Sequence, residues 1–260
     1  MASRPPFPDL SSLPKLPLGQ VDLARRIELA REPETVPARR PRLARLLREL
    51  EHFVDPLRRP FRRIDVAPSA RPSIVLILPG FAAHSQKMRY MARQIERAGH
   101  KTKRWGLGRN WGANEARMEL LVERLDEVRE RYDQPVVLLG WSLGGLFARE
   151  LAKRRPESVS KVITMGTPFS GNPRDNNVWR LYQFIAGHSV DHPPIEADVS
   201  AKPPVETVAL WSPNDGAIHP RSAAGYPGER DRAIALRCTH MGFSYSPQAI
   251  SAVLEELERD

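Results

Sequence analysis

The chain has 260 residues, 41% of them hydrophobic, and a formal net charge of +9. That length is enough to bury a sizeable core, and no run approaches the ~18 apolar residues that span a bilayer. The single cysteine, Cys238, excludes an intrachain disulfide and gives no sign of an oxidising compartment. With no apolar signal-like run at the start either, a cytoplasmic location is the expectation.

Residues 1–72 read as an N-terminal extension. They hold 15 Lys/Arg against 9 Asp/Glu, which is +6 of the +9, and 12 of the 25 prolines. Residues 1–19 are Pro-rich and expected to be irregular. A short helix is expected over 20–31. A better-patterned one runs over 42–54, where Leu43, Leu46, Leu47, Leu50 and Val54 recur at helical spacing. Arg42, Arg45 and Arg48 add positive charge to it. An amphipathic stripe ordinarily seeks its own core, so this one is expected to dock on the rest of the chain. The basic balance also leaves transient contact with an anionic membrane surface open. Acidic residues are interspersed and no nucleic-acid motif appears, so no nucleic-acid partner is expected.

From Ser73 the pattern changes. "SIVLILPG" is a continuous apolar run that reads as a strand buried on both faces. A helix follows over about Ser85–Ala98, closed by Gly99 and capped by Ser85. Then come the possible strand "KTKRWG", a helix over Asn114–Tyr132, the strand "PVVLLG", a helix over Gly144–Arg154 and the strand "SKVITMGTP". Residues 169–204 break the rhythm, with one helix expected at Val178–Ala186. "VETVALW", "RAIALRC" and a helix over Pro247–Glu258 complete the chain. Alternating strands and helices argue for a parallel sheet covered on both faces. Ligand sites in such sheets lie at the carboxyl ends of the strands.

"GWSLGG" places Ser142 in a tight strand-to-helix turn, with Gly140 and Gly144 two places away on either side. Such a turn strains the serine backbone, lifts the hydroxyl off the sheet edge and sets it at a helix N-terminus. The plain alternative is a small-residue turn that happens to contain a serine. A nucleophilic serine needs a base, and the base needs an orienting carboxylate. Of seven histidines, His240 in "CTHMGF" lies past the last strand, in the expected order of serine, acid, histidine. His84 competes, although its place in the chain better suits a wall of the site, and a packed structural histidine remains the alternative for His240. Asp215 in "SPNDG" follows a strand end and is the candidate acid, although Asp-Gly is also an ordinary turn signal. The backbone N–H groups of Leu143 and Phe81 are the candidate oxyanion donors.

Taken together, "LPGF", "GWSLGG", "MGTPFSG", "SPNDG" and "THMGF" resemble the α/β-hydrolase superfamily, most of all its lipase- and esterase-like members. The resemblance covers residues 73–260. It implies a mostly parallel sheet of about six strands with helices on both faces, a lid-like insertion at 169–204, and the roles already given to Ser142, Asp215, His240, Phe81 and Leu143. Within the insertion, Val178, Leu181, Tyr182 and Ile185 form an apolar stripe flanked by Trp179 and Phe184, which a lid helix would present to an acyl chain; a plain covering helix is the alternative. Pro79 and Phe169 depart from the histidines common in lipases and are expected at the pocket's edge. "GLGRNWG" lacks a third glycine for a dinucleotide site and is expected as a loop beside the pocket. No metal-ligand spacing appears, so neither a metal nor a cofactor is expected. The expected activity is hydrolysis of small-molecule or lipid carboxylic esters through an acyl-enzyme. The alternatives are acyl transfer on the same residues, or a non-catalytic binding protein on this fold.

Overall fold

The computed structural model describes residues 20–34, 36–58, 62, 64–195 and 197–259. Every strand expected from the sequence forms. They are β1 Ile74–Leu78, β2 Lys101–Arg104, β3 Val136–Trp141, β4 Val159–Met165, β5 Glu206–Trp211 and β6 Arg232–Ala235. The sheet runs β2-β1-β3-β4-β5-β6, and all five pairings are parallel. The direction of winding reverses between β1 and β3, so the loops leaving these two strands open a crevice at their carboxyl ends.

The continuous apolar runs are explained by burial on both faces. Val75, Ile77, Val137, Leu139 and Trp141 belong to one core, and Ile74, Leu76, Leu78, Val136 and Leu138 to the other. Alternation along a strand thus feeds two layers rather than one. The helices are α1 Gln20–Arg31, α2 Leu43–Arg48, α3 Asp55–Arg58, α4 Arg89–Arg97, α5 Glu115–Tyr132, α6 Leu143–Arg154, α7 Trp179–Ala186, α8 Pro220–Ala224 and α9 Pro247–Glu258. Helices α4 and α9 cover the first face through Met91, Ile95, Ile250 and Val253. Helices α5 and α6 cover the second through Met118, Leu121, Phe147 and Leu151.

Three local expectations are corrected. His84, not Ser85, caps the helix after β1, its Nδ1 accepting from the Gln86 N–H at 3.3 Å. Phe169 does not edge the pocket. It is fully buried, with the Arg149 guanidinium 4.1 Å above its ring. That guanidinium donates to the carbonyls of Val199, Ser200, Ala201 and Glu229 at 3.0–3.2 Å, which fastens the end of the insertion to α6. Burial pulls the pKa of Arg149 down to about 10, still far above neutrality.

The third correction concerns the extension. Helix α2 is short, passes into a 3₁₀ stretch at Glu49–Phe53, and is followed by α3. The leucine stripe does not dock. Leu46 is half-buried, but Leu43, Leu47, Leu50, Phe53 and Leu57 are 58–75% exposed. What faces the body instead is polar: Glu49, together with the Arg45 backbone, whose carbonyl lies where a Cβ on Gly216 would have to be. Tertiary hydrogen bonding has overridden the apolar periodicity. Helix α1, expected and found, lies along α7: Arg26 donates to Phe184 O at 2.9 Å and Ile185 O at 2.5 Å, and Gln183 donates to Leu29 O at 2.5 Å. The Pro-rich stretch 1–19 lies outside the described residues.

Candidate active site

Ser142 sits between β3 and α6 with φ 54° and ψ −124°, a conformation that non-glycine residues seldom adopt. The turn holds because its neighbours have no side chains. A Cβ on Gly140 would fall 2.4 Å from Gly145 Cα, and one on Gly144 would fall 2.2 Å from Leu78 O. Gly145 is a third requirement that the sequence did not single out, since a Cβ there would strike Thr167 Oγ1. The Ser142 N–H donates to Met165 O at 2.8 Å, which pins the elbow to the end of β4.

Asp215 and His240 meet as expected. His240 Nδ1 lies 2.8 Å from Asp215 Oδ2, in a corner where the carboxylate side chain is 1% and the imidazole side chain 9% exposed. The other carboxylate oxygen accepts from the N–H groups of Ala217 and Ile218, both at 2.8 Å. The acid is thereby fixed in orientation before it touches the histidine. Trp141 links this pair to the elbow: its indole N–H donates to His240 O at 3.1 Å, and its ring stands 5.7 Å from the imidazole. Gly166 leaves room for the pair, because a Cβ there would approach His240 Nδ1 to 3.0 Å. Among the described residues the Ser142 hydroxyl makes no hydrogen bond to His240. Such bonds are commonly loose before substrate arrives. Burial pushes the His240 pKa down, but Asp215 by charge and hydrogen bond, with Glu49 by charge, outweighs it and leaves the value raised.

The candidate oxyanion donors flank Ser142. Gly80 approaches so closely that a Cβ on it would lie 3.2 Å from Ser142 Cβ, which brings the Phe81 loop over the elbow. Neither the Phe81 nor the Leu143 N–H is engaged by another group among the described residues. Asn110, in the "GLGRNWG" loop, braces the Phe81 turn. Its amide donates to Pro79 O at 2.8 Å, its N–H to Ala83 O at 3.0 Å, and its carbonyl accepts from Ala82 N at 2.6 Å. The loop expected beside the pocket is thus a strut for one donor.

Over Ser142 lies a mainly apolar cavity of about 330 Å³. Phe81, Leu143, Val178, Trp179 and Tyr182 line it with the serine. The insertion therefore roofs the cavity with Val178 and Tyr182 of the expected stripe and with the flanking, buried Trp179, whereas Leu181 points to solvent and Ile185 does not line it. His188, from the same insertion, also lines the cavity, with its Nε2 3.2 Å from the Tyr182 hydroxyl. Burial lowers its pKa. Neither Pro79 nor His84 lines it.

One residue of the site was invisible to sequence reasoning. Glu49, from the extension, accepts from the N–H groups of His240 at 2.7 Å and Gly216 at 2.9 Å with Oε1, and from Met241 at 2.8 Å with Oε2. Among the described residues no three His, Cys, Asp or Glu side chains gather as a metal site, and no helix is long and apolar enough to cross a membrane.

A family model described as alpha/beta hydrolase fold matches residues 73–184. The chain is an α/β-hydrolase-fold protein. Two curated relatives are named pimeloyl-[acyl-carrier protein] methyl ester esterase. The one from Nitrosospira multiformis is 35% identical over 122 residues, which are 44% of this chain and 45% of the relative. The one from Klebsiella pneumoniae is 39% identical over 62 residues, 24% of this chain and 23% of the relative. The chain thus spans less than half the length of these relatives. Among solved structures, polyneuridine aldehyde esterase superposes with a TM-score of 0.50 at 16% identity, covering 73% of this chain and all of that one. Lipase B of Aspergillus fumigatus gives 0.53 at 16% identity, covering 73% and 53%. At these identities the likeness concerns the α/β-hydrolase fold alone.

Proposed function

We propose that this α/β-hydrolase-fold protein is a serine hydrolase of carboxylic esters. The observation that carries the reading is the buried Asp215–His240 pair joined through Trp141 to a strained serine beneath an apolar cavity. The names of the relatives point to the same kind of bond. His240 Nε2 takes the hydroxyl proton as Ser142 Oγ adds to the ester carbonyl carbon. The N–H groups of Phe81 and Leu143 hold the oxyanion that forms. Collapse expels the alcohol, which takes the proton from His240, and leaves an acyl-serine. Water then repeats the sequence, its proton passing to His240 and on to Ser142 Oγ, releasing the acid and restoring the hydroxyl.

The cavity limits the acyl group. Its roughly 330 Å³ and mainly apolar walls suit an acyl chain of medium length. A series of p-nitrophenyl esters is expected to show kcat/KM rising from acetate to a maximum at about six to ten carbons and then falling. A profile falling steadily from acetate would contradict this assignment of the pocket.

We further propose that the extension touches an anionic lipid surface. Leu43, Leu47, Leu50, Phe53 and Leu57 form an exposed apolar row, flanked by the exposed Arg42, Arg48 and Arg58. Apolar rows of this kind with basic borders suit the headgroup boundary of a bilayer. The full chain is expected to sediment with vesicles containing phosphatidylglycerol, less so at high salt, and to lose binding in Leu47→Ser/Phe53→Ser. Absence of sedimentation at low salt, or a dimer that the double substitution dissolves, would contradict it.

A further inference from the structure

Among the described residues, Glu49 is the side chain by which the extension hydrogen-bonds the acid–base corner, and it is anionic. Glu49 receives three backbone N–H bonds, from Gly216 on the acid loop and from His240 and Met241 on the base loop. The acid loop and the base loop come from different strands; the Asp215–His240 bond and the Ser212 hydroxyl, which donates to Cys238 O at 2.6 Å, join them directly, and Glu49 spans them from the extension. The loop-side backbone is shaped to receive it. Gly216 has no side chain, and Arg45 O sits where a Cβ would be, 2.4 Å away. Asn177 completes the seat, its amide donating to Pro41 O at 3.0 Å and to Gly216 O at 2.8 Å. Behind Glu49 the segment is anchored by the ion pair of buried Asp55 with Arg62.

From this geometry we infer that Glu49 is a positioning residue of the active site, a carboxylate clamp that fixes the Asp215 loop and the His240 loop in register and supports the imidazolium formed in each half-reaction. This rests on the serine-hydrolase reading, but the clamp has consequences that do not require turnover. A carboxylate is suited to the task because it presents two oxygens to three donors, and charge-assisted bonds are about twice as strong as neutral ones. Its charge also acts on His240 through space. The charged groups facing that imidazole are Asp215, from the loop after β5, and Glu49, from the extension, while Trp141, Gly166 and Phe243 complete the surroundings without charge. Both carboxylates favour the protonated ring, so removing one lowers its pKa.

The test is Glu49→Gln, with Glu49→Asp as the conservative control. Glutamine keeps one acceptor, loses the charge and turns an N–H₂ toward backbone donors. In the full chain, Glu49→Gln is expected to lower kcat about 10- to 100-fold with KM within about twofold. The acid limb of the pH profile should move to lower pH, since a base of lower pKa is deprotonated sooner. Glu49→Asp should recover most of the pH shift and part of kcat. His240 titration by NMR reads the clamp independently of activity, and its pKa should fall in Glu49→Gln. An unchanged His240 titration together with an unchanged kcat per folded molecule would overturn the proposal, even if the melting temperature dropped. A titration that shifts in a protein hydrolysing no ester would keep the clamp and sink the hydrolase reading.

Discussion

Ser142→Ala is expected to lower kcat for ester hydrolysis by about four to six orders of magnitude, with little change in KM. The cavity walls Phe81, Val178, Trp179 and Tyr182 are untouched by the change. The elbow also persists, because alanine takes the same φ of 54° and Gly140 and Gly144 still leave the turn its room. Rate loss without binding loss is the signature of a group that acts only in the transition state. Kinetics under saturating ester, with the fold checked by circular dichroism, measures it. A variant retaining a tenth of the activity would show that Ser142 is not the nucleophile.

The second large effect concerns the acid. Asp215→Asn is expected to reduce kcat by about 10⁴-fold while leaving the fold in place. Its Oδ1 position accepts from the Ala217 and Ile218 N–H groups, and an amide oxygen does the same there. The amide N–H₂ then faces His240 Nδ1 in place of the carboxylate, so Nδ1 must accept and the proton moves to Nε2, the nitrogen that should receive the serine proton. The imidazolium also loses its nearest counter-charge. Steady-state rates at rising pH decide the matter: hydroxide-driven recovery at high pH fits the tautomer argument, and wild-type activity at neutral pH contradicts it.

The central layers of the fold were legible because "SIVLILPG", "PVVLLG" and the Val208–Trp211 end of "VETVALW" are apolar runs too short for a helix and bounded by Pro, Gly or Asn. The order of Ser142, Asp215 and His240 was legible for the same reason, since each follows such a run. Helix α8 was missed: the five residues Pro220–Ala224 after His219 carry no periodicity. The roofing face of α7 was half legible: Val178 and Tyr182 turn inward as expected, but Trp179 joins them while Leu181 turns out, with Gln183 held by Leu29 O of α1. Glu49 left no trace because its partners are backbone N–H groups 167 to 192 residues away, and backbone donors have no sequence signature. The same contact explains why the leucine stripe faces outward against the usual rule. One possible clue was Gly216, which reads as a turn glycine and serves as the seat for Arg45 O.

The central claim is that Ser142 is a nucleophile activated by His240. Intact-mass spectrometry after exposure to a fluorophosphonate tests it most directly. The account predicts one covalent adduct per wild-type chain, mapping to the peptide that contains Ser142, and none on Ser142→Ala. An unlabelled, folded wild-type chain, or an adduct on another residue, would contradict it.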